Sequence, residues 1–130
     1  MNHRGTEAPS NELTGKVIGC AIEVHRELGP GLLESAYEAC LCWELEQAGL
    51  HAERQKSLPV EYKGNQLDVG YRVDLIVEQS VLLELKTVDA ILPVHEAQLL
   101  TYLRLSGIRT GLILNFTTAV LREGIKRMVL

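Results

Sequence analysis

The segment Val81-Leu-Leu-Glu84-Leu-Lys86-Thr-Val88 constrains the fold of this chain more than any other. Successive side chains of a strand point to opposite faces, so Val81, Leu83 and Leu85 project one way and Leu82, Glu84 and Lys86 the other. A strand this apolar on both faces belongs at the centre of a sheet. An unpaired charge left there costs on the order of several kcal/mol. Two charged side chains interrupting such a strand therefore mark a candidate functional site.

The flanking sequence supplies the rest of a sheet-and-helix domain. Val17, Cys20, Ala21, Val24 and Leu28 recur at helical spacing, with Thr14 as N-cap and Gly29-Pro30-Gly31 as the stop. A second helix is expected from about Leu33 to Ala48, with Leu33, Tyr37, Cys40, Leu41, Glu44 and Leu45 on one side and Gly49 at its end. The period then becomes strand-like over Ser57–Tyr62, Gln66–Val77 and Val81–Val88. Pro93 opens a third helix over about Val94–Ser106, and Thr110–Phe116 reads as a buried strand. Ile125, Arg127 and Val129 alternate as a final strand would, although a short helix fits Leu121–Leu130 as well. The order ααβββαβ plus a last element gives an α/β fold, a central mixed sheet with helices packed on it.

At 130 residues and 46% hydrophobic content the chain has enough material for one domain with a core. We expect a disordered arm over residues 1–12 and one domain over 13–130. No run approaches the roughly 18 apolar residues of a membrane span, and the polar start does not look like a signal peptide, so the expectation is a soluble, cytoplasmic protein. The three cysteines, Cys20, Cys40 and Cys42, suit buried reduced thiols better than a disulfide framework. Trp43 reads as core. Net charge is −4, unevenly spread: residues 101–130 carry five basic side chains against one acidic. Arg104, Arg109, Arg122, Lys126 and Arg127 are either a phosphate-facing flank or a solvated surface.

Asp74 completes the candidate site under one condition. With a two-residue turn Gln79-Ser80 it would pair with Leu85 and point away from Glu84; with a three-residue turn Glu78-Gln79-Ser80 it pairs with Glu84. The second register sets two carboxylates beside an ammonium. Together with a backbone carbonyl such as that of Leu85 and several waters, they make an oxygen-only site suited to Mg²⁺ or Mn²⁺. The bound metal would activate water and neutralise charge on the phosphate, with Lys86 orienting the attacking water or pairing with the phosphate. Spacing alone also fits a structural Asp–Lys or Glu–Lys ion pair at a sheet end. Gln98 and Tyr102 lie four apart on the third helix and His95 one turn before Gln98. That stripe could contact nucleic acid or hydrogen-bond within the fold. His25 reads as a capping or packing residue.

Gly31-Leu-Leu-Glu34-Ser-Ala-Tyr37 resembles the signature of the GxxExxY family, and the segment Ala21–Gly31 resembles what precedes it there. Gly70–Asp74, Leu83–Lys86, Pro93–Leu103, Leu114–Phe116 and Gly124–Arg127 resemble further blocks of that family in order. That family is placed in the PD-(D/E)XK nuclease-like superfamily. The resemblance implies a restriction-endonuclease-like core, with a central mixed sheet of four to five strands flanked by helices. It also implies Mg²⁺-dependent hydrolysis of nucleic-acid phosphodiesters, with DNA as the expected substrate. Asp74, Glu84 and Lys86 become the catalytic set, Glu34, Asp74, Glu84 and Leu85 the metal ligands, and Gln98, Tyr102, Tyr37 and His95 the substrate-binding residues. Val73 stands where the superfamily name has proline. The alternative is a catalytically silent nuclease-fold module that binds nucleic acid or a protein partner in DNA repair or defence. A homodimer that sets two sites across two strands is a further expectation, and a small protein that binds a partner through its acidic helices, Glu23 to Glu46, is the third reading.

Overall fold

The computed structural model describes residues 3–130, with side chains from residue 11 onward. The elements are α1 (His3–Leu28), α2 (Glu34–Gln47), β1 (Ala52–Ser57), β2 (Val60–Tyr62), β3 (Asn65–Leu67), β4 (Arg72–Val77), β5 (Val81–Lys86), α3 (Pro93–Ser106), β6 (Thr110–Asn115), a 3-10 turn (Leu121–Gly124) and β7 (Ile125–Val129). Five strands form one mixed sheet in the order β1-β4-β5-β6-β7, and β2 and β3 make a separate hairpin. The strand that is apolar on both faces, β5, lies in the middle as its composition requires. Neighbours run antiparallel except β5 and β6, which are parallel because α3 carries the chain back across the sheet.

Each face of the sheet has its own core. On one, Val17, Ala21 and Val24 of α1 and Tyr37, Leu41 and Leu45 of α2 meet Leu75, Val77, Val81, Leu83, Leu85, Leu112 and Leu114. On the other, Leu99, Tyr102 and Leu103 of α3 meet Ile76, Leu82 and Ile113. Gly111 permits the close seat of α3, since a Cβ there would stand 2.8 Å from Leu99 Cδ1. No helix among the described residues is long and apolar enough to cross a membrane.

Several local expectations are corrected. Helix α1 extends back to His3, so Thr14 lies inside it instead of capping it. Of the arm expected over 1–12, residues 1–2 lie outside the described residues. The edge strand β1, Ala-Glu-Arg-Gln-Lys-Ser, begins before the expected Ser57 and has no apolar alternation. It is a strand because β4 offers it an edge to pair with, and charged side chains suit an edge strand. The expected strand Gln66–Val77 is interrupted between Leu67 and Arg72. On α2 the buried stripe is Tyr37, Glu38, Leu41, Cys42 and Leu45. Cys40 and Trp43 fall about 130° and about 170° from the centre of that stripe, and both are exposed, Trp43 at 57%. The final element is a strand, β7, and it does not gather the basic tail onto one flank. Lys126 pairs with Ile113 of one face and reaches Glu96 at 3.9 Å, whereas Arg127 pairs with Leu112 of the other and donates to Asn11 Oδ1 at 2.8 Å.

Candidate active site where two strands part

The β4–β5 connection is the three-residue turn Glu78-Gln79-Ser80, with Val77 opposite Val81. Glu78 and Gln79 adopt positive φ, and the Ser80 N–H closes the turn on the Val77 carbonyl at 2.9 Å. This is the register that puts Asp74 across from Glu84. The backbone ladder, however, ends at the Leu75–Leu83 pair. Beyond it the Asp74 N–H donates to Glu84 Oε2 at 3.2 Å and the Leu85 N–H donates to Asp74 Oδ2 at 2.8 Å. Carboxylates thus take the strand N–H groups that backbone carbonyls of a neighbouring strand would otherwise accept. The N–H and C=O of one strand residue point the same way, so the Leu85 carbonyl is directed into the gap between the two strands too.

The other side of β4 is interrupted at the same level. Arg54 pairs with Leu75 and Lys56 with Val73, but Gln55 and Asp74 between them do not pair, and Gln55 has φ +52°. Strict alternation would place Val73 with Leu75 and Val77, yet it packs with Ile76 beneath α3. Strand β4 therefore turns over at Asp74.

Burial dominates the electrostatics. It pushes the Glu84 carboxyl up to about 8, helped by the Asp74 charge and opposed by the Asp74 N–H and by Lys86. Asp74 is raised as well, first by burial and then by the charges of Glu38 and Glu34, against the Leu85 N–H and the Gln55 amide. Glu84 is 6% exposed, and its Oε1 accepts no hydrogen bond from any described residue. On the α3 side, Lys86 Nζ donates to Gln98 Oε1 at 3.4 Å and Gln98 Nε2 donates to the Tyr102 hydroxyl at 3.0 Å. Burial and the Glu84 charge raise the Tyr102 hydroxyl. Tyr71 tilts against the Tyr102 ring at 5.8 Å between centroids.

The remaining candidates separate into those near the gap and those that are not. Glu34, at the start of α2, accepts a long hydrogen bond from Thr87 Oγ1 at 3.5 Å, and its charge is felt by both Asp74 and Glu84. Among the described residues, however, no three His, Cys, Asp or Glu side chains stand close enough to hold a metal ion together. The donor set that fits a divalent cation is the Asp74–Glu84 pair with the Leu85 carbonyl, the rest of the shell being water. Burial raises the proton affinity of both carboxylates and the Asp74 charge adds to that of Glu84, a strain that a bound cation would relieve. Tyr37, expected at the substrate, is instead wholly buried and stacked on Phe116 at 4.4 Å. Its hydroxyl donates to the Gly29 carbonyl and accepts from the Leu32 N–H, which pins the loop leading into α2. His95 Nδ1 accepts the Leu92 N–H at 2.9 Å and caps α3. His25 donates from Nε2 to the Thr118 carbonyl at 2.8 Å, a packing role as expected.

Sequence reasoning missed Glu38, Gln55 and Asn115. Asn115 is buried, donates to the Val88 carbonyl and accepts from the Val88 and Thr117 N–H groups, which fixes the chain just past Lys86. Glu38 was detectable, because it lies one helical turn from Glu34. Gln55 was not, because nothing in a polar edge strand announces a left-handed residue.

No curated protein and no solved structure matches the chain. The family model of the PD-(D/E)XK nuclease superfamily matches residues 11–128. That span holds both cores and every side chain of the gap, and the chain belongs to the PD-(D/E)XK nuclease superfamily.

Proposed function

We propose that this protein is a divalent-metal-dependent nuclease that hydrolyses phosphodiester bonds of nucleic acid, with DNA as substrate. The reading is carried by one observation: Asp74 and Glu84, both with raised affinity for protons, meet in a gap of the sheet beside Lys86. Asp74, Glu84 and the Leu85 carbonyl would hold Mg²⁺ or Mn²⁺, with Glu34 adding negative charge from α2. When bound, the ion supplies a water of lowered pKa and a positive charge for the phosphate. The chain does the rest. Lys86 presents ammonium donors to a phosphate oxygen and to the attacking water, its direction set by the Gln98 carbonyl oxygen, and Tyr102 holds the Gln98 amide. The motif Gly31–Tyr37 and the blocks that follow it support a place in the GxxExxY group of the superfamily.

The test is incubation of the protein with labelled single- and double-stranded DNA and RNA plus Mg²⁺ or Mn²⁺, beside Lys86→Ala. We expect metal-dependent cleavage that falls by about a thousandfold in the variant. Equal products from both proteins would mean a contaminating nuclease. A wild-type protein that binds nucleic acid but is not stabilised by either cation would favour the silent module instead.

A further inference from the structure

We propose that Gln55 is a positioning residue for the Asp74 carboxylate, held at a left-handed position of β1 and anchored to α2 through the Glu38–Arg54 ion pair. The inference rests on the reading of Asp74 as a metal ligand.

Gln55 Nε2 donates to Glu38 Oε1 at 2.7 Å and to Asp74 Oδ1 at 3.3 Å. An amide carries two N–H donors, and here each meets a different carboxylate. Glu38 is a rigid anchor: it is 7% exposed, and its Oε2 accepts from Arg54 Nε at 3.0 Å. The backbone makes this arrangement possible. Neighbours in a regular strand point to opposite faces, yet Arg54 and Gln55 both reach the one Glu38 carboxylate. They can do so only because Gln55 leaves the extended conformation, at φ +52°, while Arg54 and Lys56 on either side stay paired with β4. A non-glycine residue is disfavoured in that conformation, and no turn calls for it there. The side chain is therefore the reason for the backbone. Its effect falls on Asp74, whose Oδ2 is held by the Leu85 N–H and whose Oδ1 is held by Gln55, leaving the carboxylate aimed into the gap beside Glu84.

Two variants test this. Gln55→Asn keeps a residue that tolerates positive φ but shortens the reach, and Gln55→Gly removes the side chain while freeing the backbone. Each is compared with the wild type by thermal unfolding, by Mn²⁺ titration read from the electron paramagnetic resonance of the free ion, and by hydrogen exchange at the Leu85 amide. We expect both variants to melt at or above the wild-type temperature, to bind Mn²⁺ about tenfold more weakly, and to exchange the Leu85 amide faster. A folded variant with wild-type Mn²⁺ affinity overturns the proposal. Should the wild type bind no Mn²⁺ at all, the nuclease reading fails separately, and Leu85 exchange alone decides: faster in Gln55→Asn upholds the positioning role, unchanged exchange ends it.

Discussion

The two ends of the β4–β5 hairpin are made of the same two strands and behave oppositely. Near the turn, Leu75, Ile76 and Val77 face Leu83, Leu82 and Val81 in an unbroken ladder, and all six side chains are buried and apolar. At the open end Asp74, Glu84 and Lys86 replace them, both neighbours of Asp74 cease to pair with it, and carboxylates accept the strand N–H groups. One end spends its residues on stability. The other keeps the buried Glu84 carboxylate beside the half-buried carboxylate of Asp74, an arrangement unfavourable in itself.

That contrast can be broken or sharpened by substitution. The largest effect on folding belongs to the turn end: Leu83→Ala, which empties space in a wholly buried strand, should lower unfolding stability by about 2–5 kcal/mol. Urea denaturation measures it, and a loss similar to that of an open-end substitution would erase the distinction between the two ends. An effect of opposite sign belongs to Glu84. Its carboxyl titrates at about 8 when folded against an ordinary 4.5, so the folded state holds the proton more tightly. Its contribution to stability is fully present below about pH 4.5 and is lost as pH rises through about 8, at up to about 1.4 kcal/mol per pH unit in the metal-free protein. Glu84→Gln should flatten that slope and raise the melting temperature at pH 8, while Mn²⁺ should stabilise the wild type most at the alkaline end. A variant with the wild-type slope would assign the titration to another group. The smallest effect is expected from Tyr102→Phe, which removes the acceptor of the Gln98 amide. Cleavage should fall by about three- to tenfold while stability changes by no more than about 1 kcal/mol. A thousandfold loss would instead place the Tyr102 hydroxyl at the reacting phosphate.

Much of this was legible before any coordinates. The doubly apolar run Val81–Leu85 requires a central strand, and β5 is one. The turn Glu78-Gln79-Ser80 sets the register that brings Asp74 to Glu84, since side-chain period and turn length together leave no other pairing on a shared face. Helices α1 and α3 follow from their spacing and from Gly29 and Gly107. Polar elements were harder to read. Strand β1 has no period of its own, and Trp43 faces water because the sheet selects a stripe of α2 that excludes it. Tyr37 lies in a motif that suggests substrate, yet Phe116, distant in sequence, encloses it.

The Val81–Val88 segment thus determined by itself that a sheet would be built around it and that Glu84 and Lys86 would share one face, because alternation is a local property of the backbone. Only the tertiary structure decided that β4 turns over at Asp74, that Gln55 of β1, itself held by Glu38 of α2, reaches it, and that Glu84 holds its proton to about 8. Those outcomes depend on burial and on partners far apart in sequence, and neither exists until the elements have packed.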